Sequence, residues 1–384
     1  MLLGACGRLG FDGAQGTPDA APDATPDATP VPRFDLVVSF TGDRMAGPPT
    51  MSSTSELPLG TPGLSLREAL VIAANHAGAD RIGFDDVAFA GPVTLTVAAE
   101  LELGDTGTQI DATGHAITIA GDTGYAGALL HVTGADAVID GLTLDLGGTA
   151  VTATSVSGLA VRHLTIHDTA GDAVHVDGCT NVAIDDSRIE RAVGDPVFVR
   201  ATTDAFVRRN FVSLLAKNGS VHGVYLETVT RGHVIDNIID PGSAYLVNLT
   251  DTVDTEVIGN ILDRGDTGVT LFGTSHDNVV FRNVVISPAY DSVYVQGGAM
   301  ANHITNNTFY MAPDVTDLGI GTMAVNNLIS SAPGDFVDPP TYDFHLVAGS
   351  AAIDMATDLG QDMLPSSPAR FLGAGPDLGG VESY

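Results

Sequence analysis

A unit of about 23 residues recurs from Asp136 to near the C-terminus, and it constrains the fold more than any other feature. Each unit carries an apolar pair, a polar turn residue and a second apolar pair. The turn residue falls at Gly141, His163, Asp186, Asn210, Asn237, Asn260, Asn283, Asn307 and Asn327, with spacings of 22, 23, 24, 27, 23, 23, 24 and 20. Helical repeats are longer and need apolar residues every three to four positions. Here apolar and polar residues alternate over four to six positions, as in Val174/Val176 and Val224/Leu226, which is the period of a strand. Gly, Asp, Asn and Thr cluster between these stretches, as turns require. Three short strands and three turns fill one unit, so the sequence predicts an all-β, single-stranded parallel β-helix in which each unit is one coil.

Stacked coils place equivalent residues about 4.8 Å apart. The run from Asn210 to Asn327 then forms a ladder, because an Asn side chain both donates and accepts along the stack and tolerates left-handed backbone. Val93–Val97, Leu101–Leu103 and Ile117–Ile119 alternate as well, which extends the solenoid over residues 92–330, about ten coils. Solenoid ends need caps. Ser65-Leu66-Arg67-Glu68 matches a capping box, so residues 64–77 read as a helix within an N-terminal cap spanning 34–91. The Pro- and Gly-rich stretch 331–384 reads as the C-terminal cap.

Composition narrows the partners. Lys and Arg total 16 against 47 Asp and Glu, for a net charge of -31, and Lys217 is the one lysine. Nucleic-acid binding rests on basic side chains that neutralise phosphates, so this chain is not a nucleic-acid binder. Docking to an anionic bilayer is disfavoured for the same reason. No run of 18 apolar residues exists, which excludes a membrane-spanning helix. Two cysteines cannot make a disulfide framework, and Cys179 reads as a buried thiol.

Leu3-Gly4-Ala5-Cys6 resembles the lipobox of bacterial lipoproteins, which makes Cys6 a lipidation candidate within residues 1–11. Pro18, Pro22, Pro26 and Pro30 recur every four residues in the acidic stretch 12–33, which reads as a disordered tether. The expectation is an exported protein, held at the outer membrane or cell surface of a Gram-negative-type bacterium, touching the membrane only through its lipid.

Leu64-Ser65-Leu66-Arg67-Glu68-Ala69-Leu70, with Ala73-Ala74-Asn75, resembles the segment that opens many bacterial right-handed parallel β-helix repeat proteins of the pectate-lyase-like superfamily. The usual cysteine before that serine is Leu64 here. Phe344-His345-Leu346, Gly349–Asp354 and Asp377–Glu382 resemble the closing segment of the same proteins. The resemblance spans residues 64–384 and implies the fold. The superfamily mixes polysaccharide lyases, glycoside hydrolases, epimerases and non-catalytic surface proteins, so it implies no single activity. The Gly-His-Gly and paired-Asp segments of polygalacturonases and the Asp-Pro-His pattern of alginate epimerases are absent.

In these folds the longest turn borders the substrate groove, and the longest coil here runs from Asn210 to Asn237. The strands beside that turn read Ala173–Asp177, Pro196–Arg200, Gly223–Glu227, Tyr245–Leu249, Gly268–Phe272 and Ser292–Gln296. Alternation turns His175/Asp177, Phe198/Arg200, Tyr225/Glu227, Leu246/Asn248, Thr270/Phe272 and Tyr294/Gln296 outward. His175, Tyr225, Asn248, Tyr294 and Gln296 are the expected sugar contacts. Asp177 and Glu227, two rungs and about 9.6 Å apart, are candidate acids for inverting hydrolysis. Arg200 between them would lower their pKa values, which is wrong for a general acid. A lyase would instead draw on Lys217, His222 and Arg200 around Tyr225. A polyanionic substrate would need bridging calcium, the one cofactor considered. The reading is a monomer that engages a polysaccharide or surface glycan as a lyase or glycoside hydrolase, or else a non-catalytic adhesin or spacer.

Overall fold

The computed structural model describes residues 34–213, 221–240, 242, 245–330, 332–358 and 373–379. The lipobox-like segment, the Pro-rich stretch and Lys217 lie outside the described residues. The chain winds into a parallel β-helix whose coils contribute one strand to each of three sheets, of 12, 11 and 10 strands. The first sheet begins at Phe34–Val38 and Asp80–Phe84 and ends at Met323–Val325. The second runs from Val93–Val97 to Leu328–Ser330, and the third from Leu101–Leu103 to Val315–Asp317. The ladder of strands thus starts before Pro92, because Phe34–Val38 pairs in parallel register with Asp80–Phe84.

Alternation buries one side chain in two along each strand. Val161, Ile184, Val207, Val234, Val257, Val280 and Ile304 form one continuous inward column, each fully buried. Fully burying one such side chain contributes about 1.5–3 kcal/mol, and repetition over the coils makes the core a rod.

At one corner the alternation breaks. Ala150 and Val151, Ala173 and Val174, and Leu246 and Val247 are consecutive pairs with both members buried. Gly223 takes the first place of the pair in its coil. A Cβ there would fall 2.5 Å from Ile239 Cγ2 and from the Leu246 carbonyl oxygen. This corner corrects the expected outward column: Leu246 lies in the core, and Asn248 and Thr250 stand in register with Tyr225 and Glu227 on the outer face.

The Asn ladder runs through Asn210, Asn237, Asn260, Asn283, Asn307 and Asn327. Each Oδ1 accepts the backbone N–H and the Nδ2–H of the preceding member, at 2.9–3.0 Å. Below it the column continues as Ser187 and Leu164, one residue past the expected His163 and Asp186. The left-handed residue is the one before the ladder: His163, Asp186, Arg209, Asp236, Gly259, Arg282, Asn306 and Asn326. Conformation and hydrogen bonding are therefore divided between two neighbouring columns.

The helix Leu66–Asn75 lids the first coil. Ser65 Oγ accepts from the Glu68 N–H, and the Glu68 carboxylate accepts from the Ser65 N–H at 2.9 Å, the capping box expected. At the other end, Phe336, Phe344 and Leu346 pack against Val284 and Tyr310 on the outer flank of the second sheet. Among the described residues of the last coil, Ala324 and Ile329, in register with the inward Ile304 and Phe309, are exposed. Asp317 stands in the column of the inward Leu271 and Val295.

Candidate functional site

The outer face of the third sheet brings the expected candidates into two columns. His175, Phe198, Tyr225, Asn248, Thr270 and Tyr294 stand in register on successive coils. Asp177, Arg200, Glu227, Thr250 and Phe272 form the neighbouring column. At the strand entries a third pair, His222 and Tyr245, lies in register.

Rings dominate this face. His175 meets Phe198 edge-on at 4.9 Å between centroids, and Phe198 meets Tyr225 at 5.0 Å. Tyr225 touches His222 at 4.6 Å, and His222 stacks on Tyr245 at 5.5 Å. Tyr245 meets Phe272 at 5.4 Å, and Phe272 meets Tyr294 at 5.8 Å. The result is an unbroken band of seven rings across six coils, about 24 Å long at the strand spacing. Each ring is partly exposed. Stacked and edge-on pairs add about 0.5–1.5 kcal/mol each beyond burial, which holds the band rigid.

Tyr245 and Asp195 were not among the expected site residues. The adjacent Leu246, read as outward, hid Tyr245. Asp195 precedes Pro196 in a turn and shows its role only in space: its Oδ1 accepts the His222 backbone N–H at 2.6 Å and meets the His222 ring Nδ1 at 3.1 Å. One coil below, Asp172 meets the His175 Nδ1 at 2.8 Å and accepts the Asp195 N–H. Both histidines are thus held by an aspartate through one ring nitrogen, which leaves Nε2 directed away from that partner.

Arg200 is clamped by Asp177, with Nε to Oδ1 at 3.1 Å and Nη2 to Oδ2 at 2.5 Å. Those bonds hold the Asp177 carboxyl below its usual range and raise the guanidinium in turn. The same coil-to-coil clamp recurs at Arg208–Asp185, Arg209–Asp186 and Arg231–Asp204. Glu227 sits above Arg200, and no hydrogen bond to its carboxylate is found among the described residues. Burial pushes the Tyr225 phenol up. Asn248 is buried; its Oδ1 accepts from the Thr270 hydroxyl at 2.8 Å. Gln296 lies just past its strand and accepts the Gly273 N–H at 2.8 Å. Among the described residues, Asp145, His167 and Asp168 gather three metal-ligating groups, on the second sheet rather than on this face, and Arg191 already engages both oxygens of Asp168.

Residues 147–309 match the family described as "Right handed beta helix region". The solenoid is a right-handed β-helix. Among curated proteins, none matches the sequence. Solved structures that match include ORF18 of Geobacillus virus E2, at 10% identity and a TM-score of 0.49, with 68% of this chain and 56% of that one covered. The chain spans just over half the length of that viral protein. Pectate lyase Pel9A matches at 13% identity and a TM-score of 0.48, with 92% and 96% covered. PfbA, a surface adhesin of Streptococcus pneumoniae, matches at 12% identity and a TM-score of 0.44, with 69% and 87% covered. Likenesses at this level say nothing of activity.

Proposed function

We propose that the outer face of the third sheet is a carbohydrate-binding groove in which a glycan chain lies along the coil axis. The observation that carries this reading is the unbroken band of seven rings. Sugar rings present apolar C–H faces that stack on aromatic side chains, while their hydroxyls donate to flanking carboxylates. A band about 24 Å long serves several sugar residues in a row. Calorimetry of the soluble body, residues 34–384, against a panel of neutral and acidic polysaccharides tests it. Phe198→Ala and Tyr245→Ala should each weaken binding about two- to tenfold at unchanged circular dichroism, since an aromatic pair contributes about 0.5–1.5 kcal/mol beyond its area. Absence of binding across the panel refutes the reading.

The His222–Asp195 pair beside Tyr225 favours a second reading, in which the groove also cleaves its ligand. An oriented imidazole next to a phenol is a proton-transfer arrangement. Release of reducing ends that disappears in His222→Asn, with glycan affinity retained, supports cleavage; equal release from both proteins removes His222 from that role.

For placement, the Leu3–Cys6 segment and the Pro-rich tether support an exported lipoprotein that carries the groove at the cell envelope. Labelled fatty acid should enter the full-length chain and not a Cys6→Ser variant.

A further inference from the structure

We infer that the groove accepts an uncharged polysaccharide and rejects polyuronates. The inference rests on the carbohydrate reading above and narrows it to a substrate class. A polyuronate presents one carboxylate per sugar, so its groove must supply cations at a matching pitch. This face does the opposite. Asp172 and Asp195 lie at its strand entries, each against a histidine ring of the band. Glu227 stands in the column beside Tyr225, and Asp251 follows that column at Thr250. The Asp195, Glu227 and Asp251 carboxylates all lie close enough to act on the Tyr225 phenol.

Cations that could offset them are committed elsewhere. Of the twelve described arginines, eleven form an ion pair with an Asp or Glu: Arg44, Arg67, Arg81, Arg162, Arg188, Arg191, Arg200, Arg208, Arg209, Arg231 and Arg264. The twelfth, Arg282, interacts with Asp236. Among the described residues the arginine on the groove itself is Arg200, and Asp177 takes two of its donors. The net charge of -31 points the same way.

The same carboxylates suit a neutral chain. Glu227 offers both its oxygens to sugar hydroxyls, Asp195 and Asp251 each keep Oδ2 clear of the bonds their Oδ1 makes, and charge-assisted bonds of that kind are about twice as strong as neutral ones. An uncharged chain also narrows the cleavage reading. Elimination needs a carboxylate beside the C5 proton to acidify it, so scission of a neutral chain is hydrolysis. Water's oxygen bonds to the anomeric carbon as the glycosidic C–O bond breaks, one proton goes to the leaving oxygen, and water's own proton goes to a base.

The test is calorimetry of the full chain at low salt. The neutral probes are cellohexaose, mannohexaose, xylohexaose and laminarihexaose; the acidic probes are hexagalacturonate and an alginate hexamer, each with EDTA and with calcium. The expected result is binding of at least one neutral probe and at least 100-fold weaker binding of both uronates. Glu227→Gln should narrow that gap, as should raised sodium chloride, which screens exposed charge. Uronate binding equal to or tighter than neutral binding, with or without calcium, overturns the inference and leaves the carbohydrate reading standing. No binding of any probe overturns both.

Discussion

Replacing Asn260 by Ala removes one rung from the middle of the Asn ladder and isolates what the ladder contributes. Asn260 is fully buried. Its Oδ1 accepts the Asn237 backbone N–H at 2.9 Å and the Asn237 Nδ2–H at 2.9 Å. Its Nδ2 donates to the Val234 carbonyl at 2.7 Å. The Asn237 side chain keeps its bond to the Val207 carbonyl, and Asn283 Oδ1 keeps the Asn260 backbone N–H. One buried backbone group therefore loses its partner, the Asn237 N–H, while the Val234 carbonyl stays in the ladder with the next coil. An orphaned group costs about 1–3 kcal/mol, so the loss should be roughly 1–3 kcal/mol. Asn327 is the control, because it makes the same bonds to Asn307 at 3.0 Å from a half-exposed position where water can replace it. Asn327→Ala should cost under about 1 kcal/mol. Urea unfolding followed by circular dichroism measures both, and hydrogen exchange at the Asn237 amide should accelerate only in Asn260→Ala. If Asn260→Ala costs no more than Asn327→Ala, buried bonding along the stack is not what holds the coils in register.

Three further outcomes follow from the caps and the clamps. Burial alone would push the Glu68 carboxyl up, but the Ser65 and Ala46 N–H groups and Arg44 overcome it and hold it below its usual range. Its stabilising contribution is present above the ordinary Glu pKa and is lost as pH falls through the depressed folded value, so Glu68→Gln should flatten acid unfolding in that window. Burial, assisted by Asp105, raises the Asp80 carboxyl against the opposing pull of His76; an acid so raised loses stability as pH climbs from its unfolded to its folded pKa, and Asp80→Asn should remove that slope in a pH series of urea midpoints. Arg200→Gln should return the Asp177 carboxyl to the ordinary range, read by carbon-detected NMR titration, and an unmoved titration would show that the clamp does not form in solution.

Much of the fold was legible because a solenoid repeats its physics. Asn237, Asn260 and Asn283 sit in near-identical text because each meets the same two neighbours. Ser65 and Glu68 announced the helix because a capping box is local chemistry. The groove was less legible because a surface is read by parity, and parity fails at a corner. Leu246 and Val247 are both inward, so an alternating count placed Leu246 outside and passed over Tyr245. Asp195 was silent for a different reason: its partner His222 is 27 residues away and one coil above. Nothing in the sequence around a turn aspartate separates one that orients a ring from one that closes its own turn, as Asp111 does with Thr113.

The last rung ends on Asp317, in the column filled below by Leu271 and Val295. Parallel sheets carry a hazard, since an unpaired final strand is a template onto which another chain can crystallise its own backbone. An incoming rung would have to lay an apolar residue over a carboxylate and strip it of water, in a column where growth must stay dry. Asp317 thus sets a desolvation cost on any further rung in that column, a cost that the exposed Ala324 and Ile329, in register with the inward Ile304 and Phe309, do not add.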